Sequence, residues 1–207
     1  MTDGWVATRG DVDGFVAEDD VLGDARAHAV RVGCRPVAPA VGAALRFLAT
    51  AISARAVVEI GTGTGVSGLW LLRGMVPDGT LTSIDVDPEH QRAARAAFVA
   101  GGNGPARLRL INGMGLEVLP RLTDGGYDLV FVDATPNDHP RYLDESLRLL
   151  RTGGIVAING VTPDGGSTAG QPAGAAQDVA RQVRADDRLA PVLLPLGDGL
   201  LAAVKRS

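Results

Sequence analysis

The chain has a single cysteine in 207 residues, Cys34, so no disulfide can close within it and a reducing cytoplasm is the expected home. Cys34 itself reads as a small buried apolar residue rather than a nucleophile. Long hydrophobic runs are missing too. No stretch reaches membrane-spanning length, and the leading MTDGWVATRGDVDGFVAEDD is acidic and lacks the apolar core of a signal peptide. Nor is there an excess of positive charge. A formal net charge of −4 leaves no electrostatic footprint for non-specific nucleic-acid binding, so a small-molecule partner is expected, with no nucleic acid and no membrane. Internal repeats and an interdomain linker are also absent, and the length suits one domain, 1–207, with a helical lead over 1–35.

What the chain does have is glycine. Twenty-eight glycines without a Gly-X-Y period point to tight turns and to close approach of backbone to a ligand. After the polar lead, residues 20–33 and 39–53 carry apolar positions at helical spacing. The pattern then changes to short apolar runs, each ended by glycine, aspartate or asparagine: 56–61, 81–87, 107–113, 127–134 and 154–160. Such runs read as buried parallel strands. Helical segments alternate with them: VSGLWLLRGM, PEHQRAARAAFVA, MGLEVLPRL and HPRYLDESLRLL, with Asp87 as a cap before Pro88. This alternation predicts a doubly wound α/β sheet with helices on both faces, its ligand outside the carboxyl ends of the strands. Residues 160–174, rich in glycine and proline, read as a loop beside that crevice. After a helix near 174–186, two apolar strands flank Gly197-Asp198-Gly199, a hairpin signal. The prediction is a Rossmann-like, seven-stranded, mostly parallel sheet finished by an antiparallel hairpin.

The segment VVEIGTGTGVSG places Gly61, Gly63 and Gly65 after the first strand, with Thr62 between the first two and Ser67 opening a helix. A loop without side chains can bend sharply, and the amides at the helix start offer donors to a carboxylate or a pyrophosphate. Two cofactor classes use that device. Glu59, two residues before Gly61, is unwelcome near pyrophosphate but suits a cationic sulfonium and amino group; the alternative is a capped, solvated strand end. Asp85, twenty residues after Gly65 and followed by Val86, can accept from both hydroxyls of a ribose. Gly113, Met114 and Gly115 follow the third strand, where they border a base or merely start a helix. Asp133 ends the fourth strand at the point where strand order reverses, which marks a site residue.

Together these segments resemble the catechol O-methyltransferase-like family, in particular its bacterial members acting on small hydroxylated compounds. The resemblance runs from about Pro36 to the C-terminus on VAPAVG, VVEIGTGTGVS, LTSIDVDPEH, INGMGLEVLPRL, YDLVFVDA, LLRTGGIVAING and LLPLGDGLLAAVK. It implies S-adenosylmethionine as cofactor and a homodimer. It also implies Val37, Glu59, Gly61 and Ser67 around the methionine portion, Asp85 on the ribose, Gly113, Met114 and Gly115 along the adenine, and Asp133 facing the amino group and the acceptor. Thr62, Gly63 and Val86 complete the expected cofactor set. Typical members read Asp-Ala-Asp-Lys and Asp-Asn where this chain has Asp133-Ala134-Thr135-Pro136 and Asn159-Gly160. In the family the first Asp of the former segment and both residues of the latter bind magnesium, and the lysine helps remove the acceptor proton. One carboxylate, one amide and a glycine make a poor magnesium site, so no metal is expected.

The expected reaction is methyl transfer to a small, phenolic acceptor without a metal, with Asp133 and His139 as the catalytic pair. His139 is preferred as base because it alone of the three histidines, His28, His90 and His139, follows the Asp133 strand end. Tyr142, Leu143 and Leu147 read as helix packing and Trp70 as core, while Trp5 and Phe15 are candidates to close a substrate pocket. Three alternatives stay open at this point: a cofactor-binding protein without turnover, a nicotinamide-dependent oxidoreductase, and transfer to tRNA, which the acidic balance disfavours.

Overall fold

A computed structural model describes residues 8–161 and 173–207; Trp5 and most of the 160–174 loop lie outside the described residues. Three helices lead: α1 (Arg9–Asp13), α2 (Asp20–Arg31) and α3 (Pro39–Ala51). The short α1 lies within the expected helical lead, ahead of the helix read from residue 20. It forms because Thr8 and Asp11 cap it reciprocally, each side chain taking the other's backbone N–H. Asp19 caps α2 by accepting from the Leu22 amide, and Pro39 opens α3 at a position where a missing N–H costs nothing.

The rest alternates as predicted: β1 (Ala56–Ile60), α4 (Val66–Gly74), β2 (Thr80–Asp85), α5 (Pro88–Ala100), β3 (Leu108–Asn112), α6 (Gly115–Val118), β4 (Tyr127–Val132), α7 (His139–Leu149), β5 (Leu150–Asn159), α8 (Ala173–Ala185), β6 (Leu189–Leu194) and β7 (Leu200–Lys205). The expected helix over MGLEVLPRL is cut after one turn. Pro120 has no amide to continue it, and residues 119–121 tighten into a 3-10 turn. The seven strands form one sheet in the order β3-β2-β1-β4-β5-β7-β6. The first five are parallel, β7 runs antiparallel to β5, and β6 runs antiparallel to β7. The mostly parallel sheet and its antiparallel C-terminal pair are as expected.

Period-two alternation splits the core into two layers. Val57, Leu129, Phe131, Ile155 and Ala157 point to the side of α3, α4 and α5, where they pack with Leu45, Trp70 and Phe98. Val58, Val130, Val132, Val156 and Ile158 point to the other side, with Leu143 and Leu147 of α7 and Val179 and Val183 of α8. The same alternation puts Glu59, Ser83, Asp133 and Asn159 on the α3–α5 side, at or beyond the carboxyl ends of their strands. Order reverses at β1 and β4, and the site lies there.

Candidate functional site

A cavity of about 450 Å³ opens at that reversal point. One wall is the glycine loop with Asp85, Val86 and His90; another is the segment Cys34–Val37; the third is Asp133 to Pro136 with Gly113, Gly115 and Tyr142. Of the predicted residues, Val37, Gly61, Thr62, Gly63, Ser67, Asp85, Val86, Gly113, Gly115 and Asp133 meet in this cavity. Met114 does not line it; it sits before α6 with its side chain exposed.

The glycine loop is shaped by protein as much as for a ligand. At Gly61, whose φ is +94°, a Cβ would stand 2.2 Å from the carbonyl oxygen of Asp133. At Gly63, φ +48°, it would meet Cys34 Sγ at 2.9 Å, and at Gly65, φ +93°, it would press on Ala94 and Phe98. Each glycine thus answers both a left-handed backbone and a neighbour in contact. Asp85 pins the loop: Oδ2 accepts from the Gly63 amide at 2.8 Å, and Oδ1 accepts from the Asp87 amide at 2.9 Å. Asp87 acts as the expected cap, accepting from Glu89 N. From the N-terminal side, Arg26 donates to the Val37 carbonyl at 2.8 Å while paired with Glu18, and Thr64 donates to the Ala25 carbonyl at 2.9 Å. These bonds fasten the Cys34–Val37 wall over the loop.

Glu59 requires a correction. It does not reach the cavity: the side chain is 0% exposed and lies beneath α4. Ser67 Oγ donates to Oε1 and Ser83 Oγ to Oε2, each at 2.5 Å. Because the Ser83 proton is committed to Glu59, the 2.7 Å contact between Thr62 and Ser83 must have Thr62 as donor. Gln91 Nε2 in turn donates to Thr62 Oγ1 at 3.1 Å, and it reaches the carbonyls of Ser83 and Ile111. The result is a directed chain from Gln91 through Thr62 and Ser83 to Glu59, with Ser67 arriving from the other side. Burial, only partly offset by the two serines, lifts the Glu59 pKa from 4.5 to about 7. The physical reason for the correction is the strand period: position 59 shares a face with Val57 and so turns inward.

His139 requires the second. Its side chain is completely buried and does not line the cavity. Nε2 lies 3.2 Å from the Ala134 carbonyl, which requires the proton on Nε2; Nδ1 is buried with no partner among the described residues. Burial pushes its pKa down. An imidazole turned inward to brace the 134–139 turn cannot take a proton from an acceptor in the cavity. Phe15, 88% exposed, does not line it either.

Asp133 does face the cavity. Burial raises its carboxyl to about 6; the 2.9 Å bond from Asn159 Nδ2 to Oδ1 and the Arg35 charge act the other way, and Asp198 adds to the rise. This arrangement does not fit magnesium. The Asn159 amide directs a hydrogen at Asp133, the one carboxylate on that wall, and Gly160 brings no side chain, so the wall is short of the carboxylate oxygens that the ion prefers. No group of three or more His, Cys, Asp or Glu suited to a metal occurs among the described residues.

Several cavity residues were not anticipated. Cys34 is half-buried and lines the wall instead of sitting in the core, and burial pushes its thiol up. His90 places Nδ1 3.6 Å from Asp85 Oδ1. Tyr142 packs as predicted with Leu143 and Leu147, yet its ring also borders the cavity against Gly115. Position three residues into a capped helix was the available signal for His90; Cys34 and Arg35 carried none.

A family model described as O-methyltransferase matches residues 18–206. The chain belongs to the O-methyltransferase family. A Mycobacterium marinum protein named provisionally as an O-methyltransferase is 51% identical over 199 residues, covering 93% of this chain and 88% of that one. A crystal structure of a Corynebacterium glutamicum protein superposes with a TM-score of 0.87 at 30% identity, covering 96% and 95% of the two chains. The O-methyltransferase TomG of Streptomyces achromogenes, involved in tomaymycin synthesis and solved in complex with S-adenosylmethionine, superposes with a TM-score of 0.81 at 26% identity, covering 94% and 93%. No helix among the described residues is long and apolar enough to cross a membrane.

Proposed function

We propose that this member of the family transfers the methyl group of S-adenosylmethionine to a hydroxyl of a small phenolic acceptor without a metal ion, Asp133 serving as base. The observation that carries the reading is Asp133 itself: a partly buried carboxyl in the cavity wall, hydrogen-bonded by the Asn159 amide. When bound, the cofactor supplies an electrophilic methyl on a sulfonium, which an in-line attacking oxygen displaces. The cradle suits it. The backbone amides of Val66 and Ser67 at the start of α4 suit a carboxylate, the Ser67 hydroxyl being spent on Glu59; Asp85 takes the ribose hydroxyls with the oxygen lone pairs that Gly63 and Asp87 leave open, and Gly113 and Gly115 give flat walls to the base.

The chain's own chemical task is then to align the acceptor and to remove one proton. Asp133 Oδ2 takes that proton as the acceptor oxygen attacks, while Asn159 keeps Oδ1 in place. A carboxyl lifted to about 6 is a stronger base than an ordinary aspartate and is still ionised at neutral pH. A reducing cytoplasm and a homodimer belong to the same reading; light scattering tests the second. The main experiment is initial-rate methylation of a phenol panel with and without EDTA. Equal rates are expected, and a rate restored only by added magnesium overturns metal independence. A protein that binds the cofactor yet methylates no phenol under either condition overturns the phenolic reading.

A further inference from the structure

We infer that the acceptor carries a carboxylate on the same ring as the hydroxyl that is methylated, and that Arg35 receives it. The inference rests on the methyl-transfer reading above and concerns the same cavity. Among the described residues that line the cavity, Arg35 is the one lysine or arginine. Its side chain is 66% exposed, and its Nη2 lies 2.7 Å from Asp198 Oδ2, a single carboxylate that cannot take all five guanidinium N–H groups. The guanidinium fork therefore keeps N–H groups for a second partner.

Asp198 is held where this matters. It is the centre of the Gly197-Asp198-Gly199 turn between β6 and β7, with both glycines at positive φ. A Cβ on Gly197 would stand 3.0 Å from Val41 and 3.2 Å from Ala38, so the turn is seated on the start of α3. Val161 N donates to the Gly199 carbonyl at 3.0 Å, which ties the turn to the end of β5, two residues past Asn159. The Arg35–Asp198 pair is thus fixed at the acceptor end, and both charges act on the Asp133 carboxyl, in opposite directions.

The pair suits exchange. A lone cation beside a sulfonium would repel it; Asp198 cancels that charge while the acceptor is absent. An exposed ion pair contributes little, so a substrate carboxylate can replace or share Asp198 at small cost and gain two parallel hydrogen bonds from the planar fork. A neutral acceptor offers nothing to that fork. The cofactor's own carboxylate is not the anion concerned, because the proposed reading assigns it to the backbone amides at the start of α4.

The test compares 3,4-dihydroxybenzoate with its methyl ester, using the full chain and the variants Arg35→Gln, Arg35→Lys and Asp198→Asn. For the wild type, kcat/KM is expected to favour the acid at least tenfold, mainly through KM. Arg35→Gln should bring the acid-to-ester ratio near one, Arg35→Lys should recover part of it, and Asp198→Asn should raise affinity for the acid. In parallel, calorimetry titrates 3,4-dihydroxybenzoate into protein loaded with S-adenosylhomocysteine. Binding that Arg35→Gln abolishes supports the inference even where no phenol is turned over. Turnover of both compounds at equal efficiency overturns it and leaves the phenolic reading standing. A preference that survives Arg35→Gln overturns it, as does failure of the acid to bind the loaded protein. An Arg35→Gln variant whose main defect is a tenfold or greater loss of S-adenosylmethionine affinity also overturns it, by assigning the anion to the cofactor.

Discussion

The two halves of the cavity are built differently. On the cofactor half, the polar side chains are bonded to protein: Asp85 to Gly63 and Asp87, Glu59 to Ser67 and Ser83, Thr62 to Ser83 and Gln91. On the acceptor half, Asn159 Oδ1 is buried with no partner among the described residues, as is His139 Nδ1 behind the cavity wall, and Pro136 and Gly160 bring no polar side chain. A half whose hydrogen bonds are already satisfied keeps its shape as the cofactor comes and goes. On the proposed reading, the other half works through one carboxylate, Asp133.

Predictions follow that contrast. The largest effect belongs to the acceptor half: Asp133→Asn should lower kcat by about 100- to 10,000-fold, the usual range for a lost general base. In the wild type the rate should climb with pH through about 6, where Asp133 ionises, and the variant should lack that limb. A limb that persists in Asp133→Asn would move the base elsewhere.

Next is Gly61→Ala. Its Cβ would overlap the Asp133 carbonyl, so cofactor affinity should drop by at least ~100-fold, about 3 kcal/mol. Gly160→Ala is the control from the other half. That residue has φ +78° but nothing among the described residues within 4 Å of the added carbon, so its cost should be that of the left-handed backbone, about 1–2 kcal/mol of stability. Equal effects in calorimetry and thermal melts would erase the distinction drawn between the halves.

A smaller effect concerns pH and stability. Glu59 is raised from 4.5 to about 7 and Asp133 from 3.8 to about 6. A carboxyl raised in the folded state binds its proton there more tightly than when unfolded. That stabilisation is complete below the unfolded pKa and is lost as pH rises through the folded one. Melting temperature should therefore fall between about pH 4 and 7, and Glu59→Gln should flatten the slope by removing a share on the order of 3 kcal/mol. A steeper slope in the variant would contradict the burial described for Glu59. The smallest effect is reserved for His139→Gln, which can keep a donor toward Ala134 O. Its rate should stay within about threefold, with the pH limb near 6 unmoved.

Most of the fold was legible because its signals are local. Strand runs ended by Gly, Asp or Asn, the Asp87-Pro88 helix start and the Gly-Asp-Gly turn each depend on a few neighbouring residues. The glycine loop and Asp85 were legible for the same reason. Glu59 and His139 were misjudged because orientation decides their roles. The strand period turned Glu59 under α4, and a single backbone acceptor at Ala134 turned His139 into the core, though both stand beside true cavity residues in sequence. Arg35 was not legible at all. What brings it to the cavity is Asp198, 163 positions later, through a contact with no sequence neighbourhood.

The approach of Gly61 to the Asp133 carbonyl has a consequence for how such a molecule can change over time. Donor and recipient sides abut through main chain, with no side chain wedged between them. The gap that a methyl group must cross is then set by peptide geometry, which most replacements leave alone, while Arg35, Pro136, Tyr142 and their neighbours around the rim are free to drift toward new recipients without altering that span.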